Sequence, residues 1–121
     1  MLFKIPNAQK RIQNKNQTAY VEEGVSITPM PVTMDETVTI TYDGLLAQNN
    51  AATIYTHVGN GFSDYWTNIQ DIPMKKEGNV WMARVTPSDS RLNFCFYDGA
   101  NNWDNNNGYN WSLTIHNGKQ Y

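Results

Sequence analysis

Four tryptophans carry most of the chemical information in this sequence, and they fall into two kinds. Trp66 lies in Gly59-Asn-Gly-Phe-Ser-Asp-Tyr-Trp66-Thr-Asn, a glycine-led loop. Trp103 lies in Asp98-Gly-Ala-Asn-Asn-Trp103-Asp-Asn-Asn-Asn-Gly108, with polar or turn residues on both sides. An indole set among amide side chains offers a flat apolar face beside groups that both donate and accept hydrogen bonds. A pyranose ring is the complement of such a surface, with a C–H face for the indole and equatorial hydroxyls for the amides. Covering about 100 Å² of apolar surface per indole contributes roughly 2–3 kcal/mol at about 25 cal/mol per Å². Two such platforms, less the loss of translational freedom, correspond to dissociation constants of about 10 μM to 1 mM.

Trp81 and Trp111 read differently. Trp81, Ala83 and Val85 alternate with Met82 and Arg84, and Trp111, Leu113 and Ile115 alternate with Ser112, Thr114 and His116. That period of two puts both tryptophans on the apolar faces of strands, hence in a core.

The elements that position these residues are strands. The chain has 121 residues, 17% charged, with 16 Asn, 8 Gly and 5 Pro, a composition suited to turns between short elements. Val25–Thr28, Val38–Tyr42, Ala52–His57, Ile69–Met74, Val80–Val85, Leu92–Tyr97 and Trp111–Ile115 read as strands, and Lys76-Glu77-Gly78-Asn79 reads as a hairpin turn. Residues 7–20 are the best helical candidate, though Asn- and Gln-rich segments form helices weakly. About seven short strands without intervening helices indicate an all-β, immunoglobulin-like antiparallel β-sandwich. Residues 25–118 form that module, and residues 1–24 a basic N-terminal segment, with Lys4, Lys10, Arg11 and Lys15 and no acid among the first fifteen. The rest of the chain carries a charge balance of −6.

Taken in order, Pro29-Met-Pro31, Val38-Thr-Ile-Thr-Tyr-Asp-Gly-Leu45, His57-Val-Gly-Asn-Gly61 and Trp66 form a pattern with Met74, Trp81-Met-Ala-Arg-Val85, Phe94-Cys-Phe-Tyr-Asp-Gly99 and Trp103-Asp-Asn-Asn-Asn-Gly-Tyr-Asn-Trp111. The pattern resembles family 25 of the carbohydrate-binding modules, starch-binding β-sandwiches attached to bacterial amylases. The resemblance spans about residues 25–118. It implies a shallow, non-catalytic site for α-1,4-linked glucans, such as starch, a glycogen-like polymer or maltooligosaccharides, lined by a histidine and two tryptophans. By motif these are His57, Trp66 and Trp103, with Asn105, Asn106 and Asn110 as polar partners. Asn110 could equally anchor its own loop. It also implies attachment to an amylase in a longer parent chain.

Other chemistries fit less well. Glycoside hydrolysis needs two carboxyl groups flanking the bond, and the loops hold Asp64 and Asp104 with no glutamate near either. Cys95 lies within Phe94-Cys-Phe96, the setting of a buried structural thiol, and one cysteine makes no disulfide framework. No cofactor is expected. A structural calcium at Asp104–Gly108 is a minor alternative, since the run lacks the later glutamate of a calcium loop. His57 and His116 are too sparse for zinc. Nucleic acid is not an expected partner, because the aromatic loops hold Asp64, Asp98 and Asp104 and no base. Nor is a membrane, because no apolar run reaches spanning length. An immunoglobulin-like protein-interaction domain is the alternative from another class. The N-terminus shows no signal-peptide pattern. That pattern places a complete chain in the cytoplasm and a fragment with a secreted amylase.

Overall fold

The computed structural model describes residues 19–62 and 65–117, so the helical candidate over residues 7–20 lies almost wholly outside the described residues. The elements in chain order are β1 (Ala19–Glu22), β2 (Val25–Thr28), β3 (Val38–Tyr42), one helical turn α1 (Leu45–Gln48), β4 (Ile54–Asn60), β5 (Thr67–Pro73), β6 (Lys75–Glu77), β7 (Val80–Val85), β8 (Arg91–Asp98), β9 (Trp103–Asp104) and β10 (Trp111–Thr114). One sheet has the order β1-β2-β3-β7-β6. The other runs β10-β8-β4-β5, with β9 also paired to β8. Every strand pairing is antiparallel.

The strand order is that of an immunoglobulin-like sandwich. Strands β2, β3, β7 and β6 follow the ABED order and β4, β8 and β10 the CFG order, with β5 added beside β4. Alternation places the core as the sequence leads one to expect. Val38, Ile40 and Tyr42 face Val85, Ala83 and Trp81 across the β3–β7 register, and all six are buried. From the other sheet come Ile54, Val58, Leu92, Phe94, Phe96 and Trp111. Tyr42 stacks on Phe96 across the sandwich at 4.1 Å between ring centroids. The expected turn at Gly78 is present, with φ +63°.

The strand count exceeds the expected seven or so. Strands β6 and β9 are short, and β1 pairs with β2 ahead of residue 25, with the Trp111 Nε1–H donating to the Glu22 carbonyl at 3.0 Å. The helical turn α1 was not expected either. Its N-cap is Gly44, which offers no side-chain cap, and only Leu46 is buried. The outward faces of β4, β5, β8 and β9 lie side by side.

Candidate functional site

Register decides which side chains meet on that outward face. Asp71 on β5, His57 on β4 and Cys95 on β8 stand in one row across the sheet. The next row is Pro73, Tyr55, Tyr97 and Trp103. Side chains in such a row are one strand spacing apart, about 4.8 Å, so planar rings there stack on one another. Tyr55 and Tyr97 have centroids 5.0 Å apart at an interplanar angle of 14°, and Tyr97 and Trp103 are 4.5 Å apart at 31°.

Trp103 is held at this position by the turn before it. The Asp98 carboxylate accepts from the Ala100 and Asn102 backbone N–H groups at 2.9 and 2.8 Å and from the Asn102 side-chain amide at 3.0 Å. Those bonds to Asn102 hold the Asp98 carboxyl below its ordinary pKa. Asn101 takes the left-handed φ of +68°, and its side-chain oxygen accepts from the Trp103 indole N–H at 3.3 Å. Trp103 remains 47% exposed. The sequence placed it in an irregular loop, whereas it begins the two-residue strand β9.

Trp66 reaches the same face by a different device. It precedes β5 and lies over Gly59 of β4, where an added Cβ would stand 2.9 Å from the Trp66 Cβ and 3.0 Å from its Cε3. Glycine is required here for close approach. His57 then lies between the two indoles, 5.8 Å from Trp66 at 33° and 5.6 Å from Trp103 at 84°. The planes of Trp66 and Trp103 therefore differ by at least the difference of those angles, about 51°.

A shallow depression of about 380 Å³ is lined by His57, Trp66, Ile69, Cys95 and Asn110. The structure thus brings together His57, Trp66, Trp103 and Asn110. Asn110, at φ +57°, also anchors its loop, its backbone N–H donating to the Asn105 carbonyl at 2.7 Å. Asn105 and Asn106 build the loop instead of lining the depression. The Asn105 side-chain oxygen accepts from the Gly108 N–H, and the Asn106 amide donates to Glu22 and to the Asn110 carbonyl. Tyr55, Tyr97, Ile69 and Asp71 were not foreseen. The Tyr55–His57 spacing on an alternating strand was the available signal.

The rival chemistries also acquire positions. Cys95 stands directly opposite His57, a proximity the sequence did not show. Burial, with smaller effects from Asp104 and Asp71, pushes its thiol up to about 11, which disfavours the thiolate. Asp104 pairs with Phe96 on the inward side of β9, and its carboxylate accepts from the Tyr42 hydroxyl. Asp64 lies outside the described residues. Among the described residues no group of three or more His, Cys, Asp or Glu side chains is arranged to hold a metal ion. A larger groove of about 600 Å³ lies elsewhere, lined by residues such as Thr39, Ile72, Lys75, Met82 and Arg84. It carries no aromatic ring, so the smaller depression is the site with chemistry for a ring-shaped ligand.

Comparison with known proteins finds two similarities. Residues 38–94, which span β3 to β8, match the model of the starch/carbohydrate-binding module, family 53. The sequence resemblance named family 25. The matching model is of a different, related family of starch-binding modules, so family 25 itself is not confirmed. A stretch of 79 residues, 62% of this chain, is 43% identical to an alpha-amylase of Clostridium acetobutylicum and covers 10% of that protein's length. No solved structure gives a significant match.

Proposed function

We propose that this chain is a non-catalytic module that binds α-1,4-linked glucans. The observation that carries the reading is the pair of indoles inclined by at least about 51° about His57. Flat, extended β-1,4 chains suit coplanar platforms, whereas a curved α-1,4 chain turns successive rings toward inclined ones. Trp66 and Trp103 supply the C–H stacking surfaces, and His57 and Asn110 supply hydrogen bonds at the rim of the depression. The similarity to a starch/carbohydrate-binding module supports the same ligand class. The similarity to part of an alpha-amylase supports attachment to such an enzyme, where the module would hold substrate near the catalytic domain.

Titration calorimetry with maltooligosaccharides and with cellooligosaccharides tests the reading. We expect dissociation constants for maltooligosaccharides of about 10 μM to 1 mM. Cellooligosaccharides should give no measurable heat. Since glucose is neutral, binding should vary little with salt. Equal binding of both series would end the α-linkage reading.

A further inference from the structure

Asp71 sits on the outward face of the edge strand β5, beside the depression and outside its lining. Its Oδ1 lies 2.7 Å from the His57 Nδ1. A carboxylate only accepts, so the hydrogen of this bond is on the imidazole. In the neutral ring that assignment leaves Nε2 bare, because the partner of one nitrogen sets the protonation of the other. Burial, and after it the charge of the same carboxylate, raises the Tyr97 phenol above its ordinary pKa. Tyr97 in turn lies between Tyr55 and Trp103 in the ring stack. One carboxylate thus holds the polar ring at the centre of the face and acts electrostatically on the ring that supports an indole.

From this geometry we infer that Asp71 is the positioning residue of the site. It holds His57 as the Nδ1-protonated tautomer, so that Nε2 accepts a hydrogen bond from a ligand hydroxyl. The inference rests on the glucan reading and sharpens it. The histidine becomes an acceptor, and the hydroxyl it meets must be a donor. A sugar whose hydroxyl at that point is methylated would lose the bond.

Two measurements on the intact chain decide it. Nitrogen-15 spectra of the His57 ring at pH 8 should show Nδ1 protonated in the parent. Asp71→Ala should shift the ring toward the Nε2-protonated tautomer, and Asp71→Asn, whose amide oxygen still accepts, should retain the parent pattern. In calorimetry with maltoheptaose, Asp71→Ala should weaken binding about five- to tenfold, the worth of one hydrogen bond, and Asp71→Asn by no more than about twofold. A bare Nδ1 in the parent overturns the inference. So does Asp71→Ala binding like the parent while His57→Ala binds weakly. So does an Asp71→Asn loss as large as that of Asp71→Ala with the tautomer retained, because affinity would then follow charge. Failure of the parent to bind maltoheptaose would remove the glucan reading and the ligand half of this inference with it. The ring-nitrogen spectra decide the hold of Asp71 on His57 with no sugar present.

Discussion

The two sheets are built by the same alternation and expose very different outer faces. On the sheet of β2, β3 and β7 the outward positions are Ser26, Thr28, Thr39, Thr41, Met82 and Arg84. On the sheet of β4, β5, β8 and β9 they include Tyr55, His57, Asp71, Tyr97 and Trp103, with Trp66 laid over Gly59. Large aromatic side chains usually go inward, where they contribute most to folding. The outer face on which they gather is the surface that the proposed glucan contact would use.

The tryptophans give the sharpest way to break that comparison. Trp111 is 1% exposed and Trp81 6%, and truncating either to Ala should cost about 3–5 kcal/mol of folding stability through the cavity left behind. Against a total of about 5–15 kcal/mol, thermal melts would show a large drop. Trp66→Ala and Trp103→Ala should melt near the parent and lose about 2 kcal/mol or more of maltooligosaccharide binding, as at an interface hot spot. A Trp103→Ala variant that binds normally, or melts as low as Trp81→Ala, would show that the outer face has been misread.

Gly59→Ala should have the next largest effect, because the new methyl group would collide with the Trp66 side chain. Overpacking of this kind costs about 1–3 kcal/mol, and calorimetry should find it in binding as Trp66 is lifted from the sheet. A smaller effect is expected at Asp98, whose carboxyl is held below its ordinary pKa by the bonds of the turn. A depressed carboxyl stabilises the folded turn above the unfolded-state pKa of about 3.9 and loses that contribution as pH falls through its lower folded value. Binding should therefore be insensitive to this group from pH 7 to about 4 and weaken below it. Asp98→Asn should remove that acid-side step. On the opposite face Arg84→Ala should change stability by no more than about 0.5 kcal/mol and leave binding unchanged.

The core was legible in the sequence because alternation alone decides it. Val38–Tyr42 and Val80–Val85 show the period of two, and Trp81 and Trp111 follow from it. Trp103 was legible as a loop residue because no alternating apolar neighbours claim it, and Trp66 because it lies in a glycine-led loop. What alternation cannot supply is register. Nothing along the chain says that position 57 stands between 71 and 95, so the Asp71 contact and the Tyr55–Tyr97–Trp103 stack could not be read. Strand β9 is too short to show any period, and α1 lacks the capping side chain by which a helix start is recognised. Asn105 and Asn106 were legible as polar loop residues. Whether an amide faces ligand or its own backbone depends on the loop's left-handed turns at Asn106 and Asn107, at φ +56° and +57°.

Strand β9 has one further consequence. Its first residue carries an indole on the outer face, and its second points inward, where the Asp104 carboxylate accepts from the Tyr42 hydroxyl. That hydroxyl accepts in turn from the Leu46 amide at 3.0 Å. Burial and the Asp104 hydrogen bond push the Tyr42 phenol up, so it stays a donor throughout the physiological range. Under the proposed glucan reading, a sugar resting on Trp103 would clamp a dipeptide whose other half is bolted to the interior. Deuterium uptake at the Leu46 amide should slow when the outer face is occupied, reporting the ligand from inside the protein.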